Sequence, residues 1–184
     1  MPNRSWKKLN RKDKWQRGET LNTVIGQGYV LSTPLQITLM TARIATGRKI
    51  LPSILKIKNK EFQRMNVSDK ALNYIRNSMY SAVNDFDGTA FRSRLSSNHK
   101  MAGKTGTSQV RKISMEERES GVLKNDEIDY KLRDHSIFTA YAPYSKPKFA
   151  ITIIAEHMGS GSKVAAPIAK RILEFSLKNY LNYV

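Results

Sequence analysis

Residues 102–109 read Ala102-Gly103-Lys104-Thr105-Gly106-Thr107-Ser108-Gln109. In an extended chain side chains alternate between faces, so Thr105 and Thr107 share one face of the strand. Gly103 and Gly106 interrupt the run, and glycine inside a strand marks the close approach of another backbone or a ligand. Lys104 adds a cation, the threonines add hydroxyls, and Gly106 puts no side chain in a ligand's way. A strand built like this can pair its backbone with an extended peptide and hold a terminal carboxylate. An ordinary edge strand with a surface lysine would also carry these residues, so Lys-Thr-Gly alone decides nothing.

Downstream, two more strands are predicted over His135–Ala142 and Phe149–Glu156, rich in β-branched and aromatic residues. Pro143-Tyr144-Ser145-Lys146-Pro147 joins them as a hairpin connection. Residues 111–134 form a long charged insertion, and loops of that length are usually functional or mobile. A helix from about Ala165, with Pro167 early, closes the chain, and Ile168, Ile172 and Phe175 are its expected buried stripe.

Upstream, Ser32 or Thr33 followed by Pro34 starts a helix through Leu35, Leu39 and Ala42, with Gly47 as its stop. A second helix, capped by Ser68, is expected to bury Leu72, Ile75, Met79 and Val83 and to end before Asp87-Gly88. A short helix is expected around Thr89–Leu95. Residues 1–31 read as irregular, broken by Gly18, Gly26 and Gly28. Helices, an antiparallel meander and a packing helix make an α+β fold.

The 184 residues favour one domain or a piece of one, and a 40% hydrophobic fraction excludes a disordered chain. No apolar run approaches the roughly 18 residues of a membrane span. The first residues lack the apolar stretch of a signal peptide, so no export route is visible in this chain. Cysteine is absent, and His99, His135 and His157 lack metal-ligand spacing, so neither metal nor cofactor is expected. The formal charge of +17 is dense near the start, in Arg4, Lys7, Lys8, Arg11, Lys12, Lys14 and Arg17. It reads as a solvated, lysine-rich surface. A basic nucleic-acid-binding module is the alternative, but no motif of that class follows and no nucleic acid is expected as a partner.

Several motifs in fixed order resemble the class B, elongation-type penicillin-binding transpeptidases, the penicillin-binding protein 2 group. Trp15-Gln16-Arg17-Gly18-Glu19-Thr20 and Ile25-Gly26-Gln27-Gly28-Tyr29 resemble the family's glycine-rich stretch, and Thr33-Pro34-Leu35-Gln36 the helix start after it. Ala102–Gln109 resembles its third active-site motif. Asp134-His135-Ser136-Ile137-Phe138, Tyr141-Ala142-Pro143, Glu156-His157, Gly159-Ser160-Gly161 and Ala165-Ala166-Pro167-Ile168-Ala169 resemble its last two strands, a loop and the closing helix.

The resemblance implies the C-terminal portion of the penicillin-binding transpeptidase, serine β-lactamase-like fold. Residues 1–184 would be a partial domain, mainly helical over 1–100, with strands three to five of a five-stranded sheet and the last helix over 101–184. Such enzymes cross-link peptidoglycan stem peptides through a serine acyl-enzyme, which β-lactams also form. It implies that Lys104 serves the catalytic network and the substrate carboxylate. Thr105, Gly106 and Thr107 would bind substrate, and the Thr107 N–H would be one donor of the oxyanion hole.

The family's serine-x-x-lysine and serine-x-asparagine motifs lie well upstream of the glycine-rich stretch, so this chain is expected to lack the nucleophile and to be inactive alone. Ser5/Lys8, Ser53/Lys56, Ser145/Lys148 and Ser160/Lys163 match the spacing by chance in a lysine-rich chain. Ser96-Ser97-Asn98 reads as a turn. Gly159-Ser160-Gly161-Ser162-Lys163 lacks the spacing of a phosphate loop. The partners implied are a stem peptide, β-lactams and a missing N-terminal half, whose membrane anchor would place the full-length relatives at the periplasmic face of the inner membrane. Without that half, a strand edge and part of a core face would stand uncovered.

Overall fold

A computed structural model describes residues 2–55, 61–96, 98–111 and 113–181. It divides into two compact units, Met1–Thr33 and Pro34–Val184.

The first unit corrects the expectation of an irregular segment. It holds two short helices, α1 (Arg4–Arg11) and α2 (Arg17–Val24). The Asn3 side chain caps α1 by accepting from the Trp6 N–H at 2.9 Å. The Glu19 carboxylate reaches back to the Gln16 N–H at 2.6 Å and caps α2. Both helices are only eight residues long, so periodicity gives little signal there. They are tied together by Lys7, a buried lysine in a stretch read as solvated. Its ammonium donates to Asp13 Oδ2 at 2.8 Å, Glu19 Oε1 at 2.7 Å and the Lys14 carbonyl at 2.7 Å. Three donors meet three acceptors, so the buried charge is fully satisfied. These partners hold the Lys7 pKa above its ordinary value, through Asp13 and then Glu19, and hold both carboxylates below theirs, Lys7 being the main cause for each.

In the second unit, α3 (Pro34–Thr46) ends at Gly47, which adopts φ +69° and donates its N–H to the Arg43 carbonyl at 2.7 Å. Helix α4 (Asp69–Asn84) is capped by Ser68, which accepts from the Ala71 N–H. A single 3₁₀ turn, Phe91–Ser93, follows. Strands β1 (Ala102–Ser108), β2 (His135–Ala142) and β3 (Phe149–Ala155) form an antiparallel sheet in the order β1-β2-β3, and α6 (Ala165–Leu181) closes the unit. The insertion is ordered around α5 (Met115–Ser120) and two 3₁₀ turns, and an Arg111–Glu117 ion pair ties its start to that helix.

Cross-strand partners share a face. Register therefore puts Gly103, Thr105 and Thr107 with Ser136, Phe138 and Ala140 on one face, and Lys104 and Gly106 with Ile137 and Thr139 on the other. Helix α6 covers the first face, packing Ala165, Ala166, Ala169, Leu173 and Leu177 against Phe138, Ala140 and Ala142. Helices α3 and α4 cover the second, where Ala45 and Met79 meet Ala102 and Tyr141. The expected α6 stripe is corrected. Ile168, Ile172 and Phe175 are exposed, and the alanine row faces the sheet, because small side chains let the helix sit close. Ile75 of α4 is likewise exposed, while Leu72, Met79 and Val83 are buried as expected.

Candidate functional site

Lys104, Thr105, Gly106 and Thr107 lie on β1, an edge strand. Lys104 and Thr107 are exposed, and Thr105 and Gly106 are half-buried. The Lys104 ammonium donates to the Thr105 carbonyl at 2.8 Å. The Thr105 hydroxyl donates to the Thr89 hydroxyl at 3.3 Å, a residue that sequence reasoning did not single out as part of the site.

The two glycines of the strand do different work. A Cβ at Gly103 would lie 2.6 Å from the Phe138 ring and 2.8 Å from the Thr139 carbonyl oxygen, so packing claims that space. A Cβ at Gly106 would meet only Ile137, at 3.3 Å from its Cβ. Gly106 thus keeps a side chain off Ile137 on the face of Lys104, a milder conflict than the one at Gly103.

Two further segments fix this strand. The turn before α6 crosses the β1–β2 backbone at Gly161, where a Cβ would lie 2.6 Å from the Gly106 carbonyl oxygen and closer still to that of Ile137. The buried Ser136 hydroxyl donates to the Ser160 carbonyl at 2.9 Å and accepts the Ala165 N–H at 3.1 Å. The Gly159–Lys163 turn is therefore a structural support for β1, which accounts for Gly161, while Gly159 adopts φ +75°. On the opposite face, the Thr41, Thr139 and Thr152 hydroxyls form a chain, 2.7 Å and 2.9 Å apart, and Thr139 is the direct cross-strand neighbour of Lys104.

His135 and His157, distant in sequence, meet at 4.7 Å between ring centroids, and His135 Nδ1 accepts the His157 N–H at 2.9 Å. The pair lies at the strand end, where His135 faces Ser108. Among the described residues no cluster of three His, Cys, Asp or Glu side chains is placed to hold a metal ion. Of the chance serine–lysine pairs, Ser5/Lys8 lies in α1, Ser145/Lys148 in the β2–β3 turn and Ser160/Lys163 before α6. Lys56 and Ser97 lie outside the described residues.

Residues 2–174 match the penicillin binding protein transpeptidase domain. The chain belongs to that transpeptidase family. Within it, the chain is 34% identical over its whole length to the peptidoglycan D,D-transpeptidase MrdA of Haemophilus influenzae, and 36% identical over 95% of its length to MrdA of Salmonella typhimurium. It spans 30% and 29% of those two transpeptidases. Among solved transpeptidase structures, penicillin-binding protein 2 of Helicobacter pylori, in complex with MreC, superposes with TM-score 0.80 at 35% identity, over 97% of this chain and 31% of that one. Penicillin-binding protein 2 of Pseudomonas aeruginosa, bound to WCK 5153, gives 0.73 at 31% identity, over 96% and 38%. The helices and three-stranded antiparallel sheet are part of the penicillin-binding transpeptidase fold.

Proposed function

We propose that this chain forms the carboxylate-binding side of a peptidoglycan D,D-transpeptidase site, and that the attacking serine comes from polypeptide outside it. The supporting observation is β1 itself, an edge strand with a cation on one face, hydroxyls on the other and a glycine between them. Because Lys104 and the two threonines sit on opposite faces, a ligand touching all of them must run along the strand's edge. An extended stem peptide fits that path and adds backbone hydrogen bonds. Lys104 then supplies charge to the terminal carboxylate and to the catalytic network, and Thr105 and Thr107 supply hydroxyl donors. The Thr107 N–H is one oxyanion donor, an interaction typically worth about two to three orders of magnitude in rate. β-Lactams would occupy the same groove.

In this reading residues 1–184 are a partial transpeptidase domain, with its helical part over 1–100 and its last strands and helix over 101–184. An N-terminal half completes it. Strand β3, none of whose residues is buried, offers that half an edge, and Ile168, Ile172 and Phe175 of α6 offer it an apolar stripe. No helix among the described residues is long and apolar enough to cross a membrane. Attachment at the periplasmic face of the inner membrane would therefore come from that half.

Fluorescent penicillin tests the proposal. The purified chain should show no covalent label. Adding the upstream half of a penicillin-binding protein 2 should restore labelling, and Lys104→Met should abolish it. Labelling of the chain alone, traced to Ser5, Ser53, Ser145 or Ser160, would overturn the assignment.

A further inference from the structure

We propose that Thr89 is a positioning residue that holds the Thr105 hydroxyl for a substrate carboxylate. This rests on the reading of β1 as the carboxylate-binding strand.

Thr89 stands between two fixed neighbours. Gly88 lies against the last turns of α4, where a Cβ would come 2.5 Å from the Ser81 carbonyl oxygen and 2.6 Å from that of Ala82. Ala90 is buried and donates its N–H to the Ala82 carbonyl at 2.9 Å. The Gly88 N–H bonds the Asp85 carbonyl at 2.9 Å, and the Phe91 N–H bonds the Gly88 carbonyl at 3.0 Å. The backbone on both sides of Thr89 is thus locked to α4. Thr89 itself is exposed, so packing does not account for its side chain. What it does is meet the Thr105 hydroxyl at 3.3 Å.

A hydroxyl has one proton and two acceptor sites. In this structure Thr105 donates its proton to Thr89. When a carboxylate arrives, Thr105 must turn that proton to the ligand. Thr89 can then turn its own proton to Thr105, so the pair stays bonded with its direction reversed. A hydroxyl that accepts one hydrogen bond is a better donor of another. Thr89 therefore restrains Thr105 in both states and strengthens its bond to the ligand without touching the ligand.

The test compares binding of an acyl-D-Ala-D-Ala peptide with that of the same peptide ending in a carboxamide, by NMR titration of the full chain. Wild type should prefer the carboxylate, and Thr105→Val should erase the preference. Thr89→Val should weaken the carboxylate peptide about three- to tenfold, the worth of one neutral hydrogen bond, and leave the amide unchanged. Thr89→Ser, which keeps the hydroxyl, should bind within about twofold of wild type, a shift well below one hydrogen bond. Equal weakening of both peptides by Thr89→Val, or failure of serine to rescue, would make Thr89 merely structural and overturn the proposal. A Thr89→Val titration matching wild type, while Thr105→Val loses discrimination, would overturn this inference alone. If neither wild type nor Thr105→Val discriminates, the reading of β1 falls, and this inference with it.

Discussion

The Thr41 hydroxyl of α3 lies 2.7 Å from that of Thr139 on β2, both buried, on the sheet face that carries Lys104. Thr139 also reaches Thr152 at 2.9 Å and the Ile151 carbonyl at 3.1 Å. One hydroxyl therefore joins a helix to two strands. Thr139→Val removes the centre of the chain and strands the buried Thr41 hydroxyl with only the Ile37 carbonyl, so it should cost about 1–3 kcal/mol. Thr41→Val leaves Thr139 two partners and should cost less. Replacing both should cost less than the sum, since the buried Thr41 hydroxyl is then no longer left without Thr139. Urea titrations of the three variants decide it, and additive losses would contradict the network.

Lys7 makes the first unit sensitive to pH at both extremes. The Asp13 and Glu19 pKa values are lowered by Lys7, so their contribution is present above the ordinary carboxylate range and is lost as pH falls below that range through their folded values. The Lys7 pKa is raised, so its contribution persists through neutrality and is lost only as pH rises past its folded value, above about 10.4. Trp6 and Trp15, the chain's two tryptophans, both lie in this unit. Their fluorescence should stay flat between those limits and change beyond them. Lys7→Met should perturb it at neutral pH and remove the alkaline step.

Gly161 and Gly106 should respond differently to alanine. At Gly161 the added methyl meets strand backbone, which cannot step aside, and the cost should be about 1–3 kcal/mol or more. At Gly106 the methyl meets only Ile137 at 3.3 Å and should change stability by less than about 1 kcal/mol. Peptide or penicillin binding should fall in both, and only in Gly106→Ala without loss of stability. Comparable melting shifts would contradict the division of labour.

On α6, Leu173→Ala empties core against the sheet and should cost about 2–5 kcal/mol. Ile172→Lys, its exposed neighbour, should stay within about 0.5 kcal/mol in this chain. If an N-terminal half covers that stripe, Ile172→Lys should still block restoration of penicillin labelling by the half. Chemical denaturation and the labelling assay separate the two effects.

Tyr141 is buried in the core with a hydroxyl that finds no partner among the described residues, and burial pushes its pKa up to about 12. Deleting an unpaired buried hydroxyl removes a desolvation cost. Tyr141→Phe should therefore be neutral or stabilising by up to about 1 kcal/mol. A loss larger than that in urea titration would mean that the hydroxyl is bonded.

The sequence by itself determined β1, β2, β3, both long central helices and the closing helix, because their signals are local. Ser68 caps, Gly47 stops a helix at positive φ, and β-branched and aromatic residues mark the last two strands. Lys104 to Thr107 could be proposed from the sequence for a similar reason, since side-chain types at fixed offsets along one strand need no partner to be read, and the structure places them on β1. Only the tertiary structure decided which side of α6 is buried, because isoleucines and alanines both fit a helical stripe, and the winner is the row that lets two backbones approach. Only it revealed the Lys7 cluster, where a buried charge is stabilised by partners at 6 and 12 residues' distance rather than by periodicity. Thr89 and Thr139 were equally silent, because each makes its hydrogen bonds across the fold, and a contact of that kind leaves no pattern in its own neighbourhood of the chain.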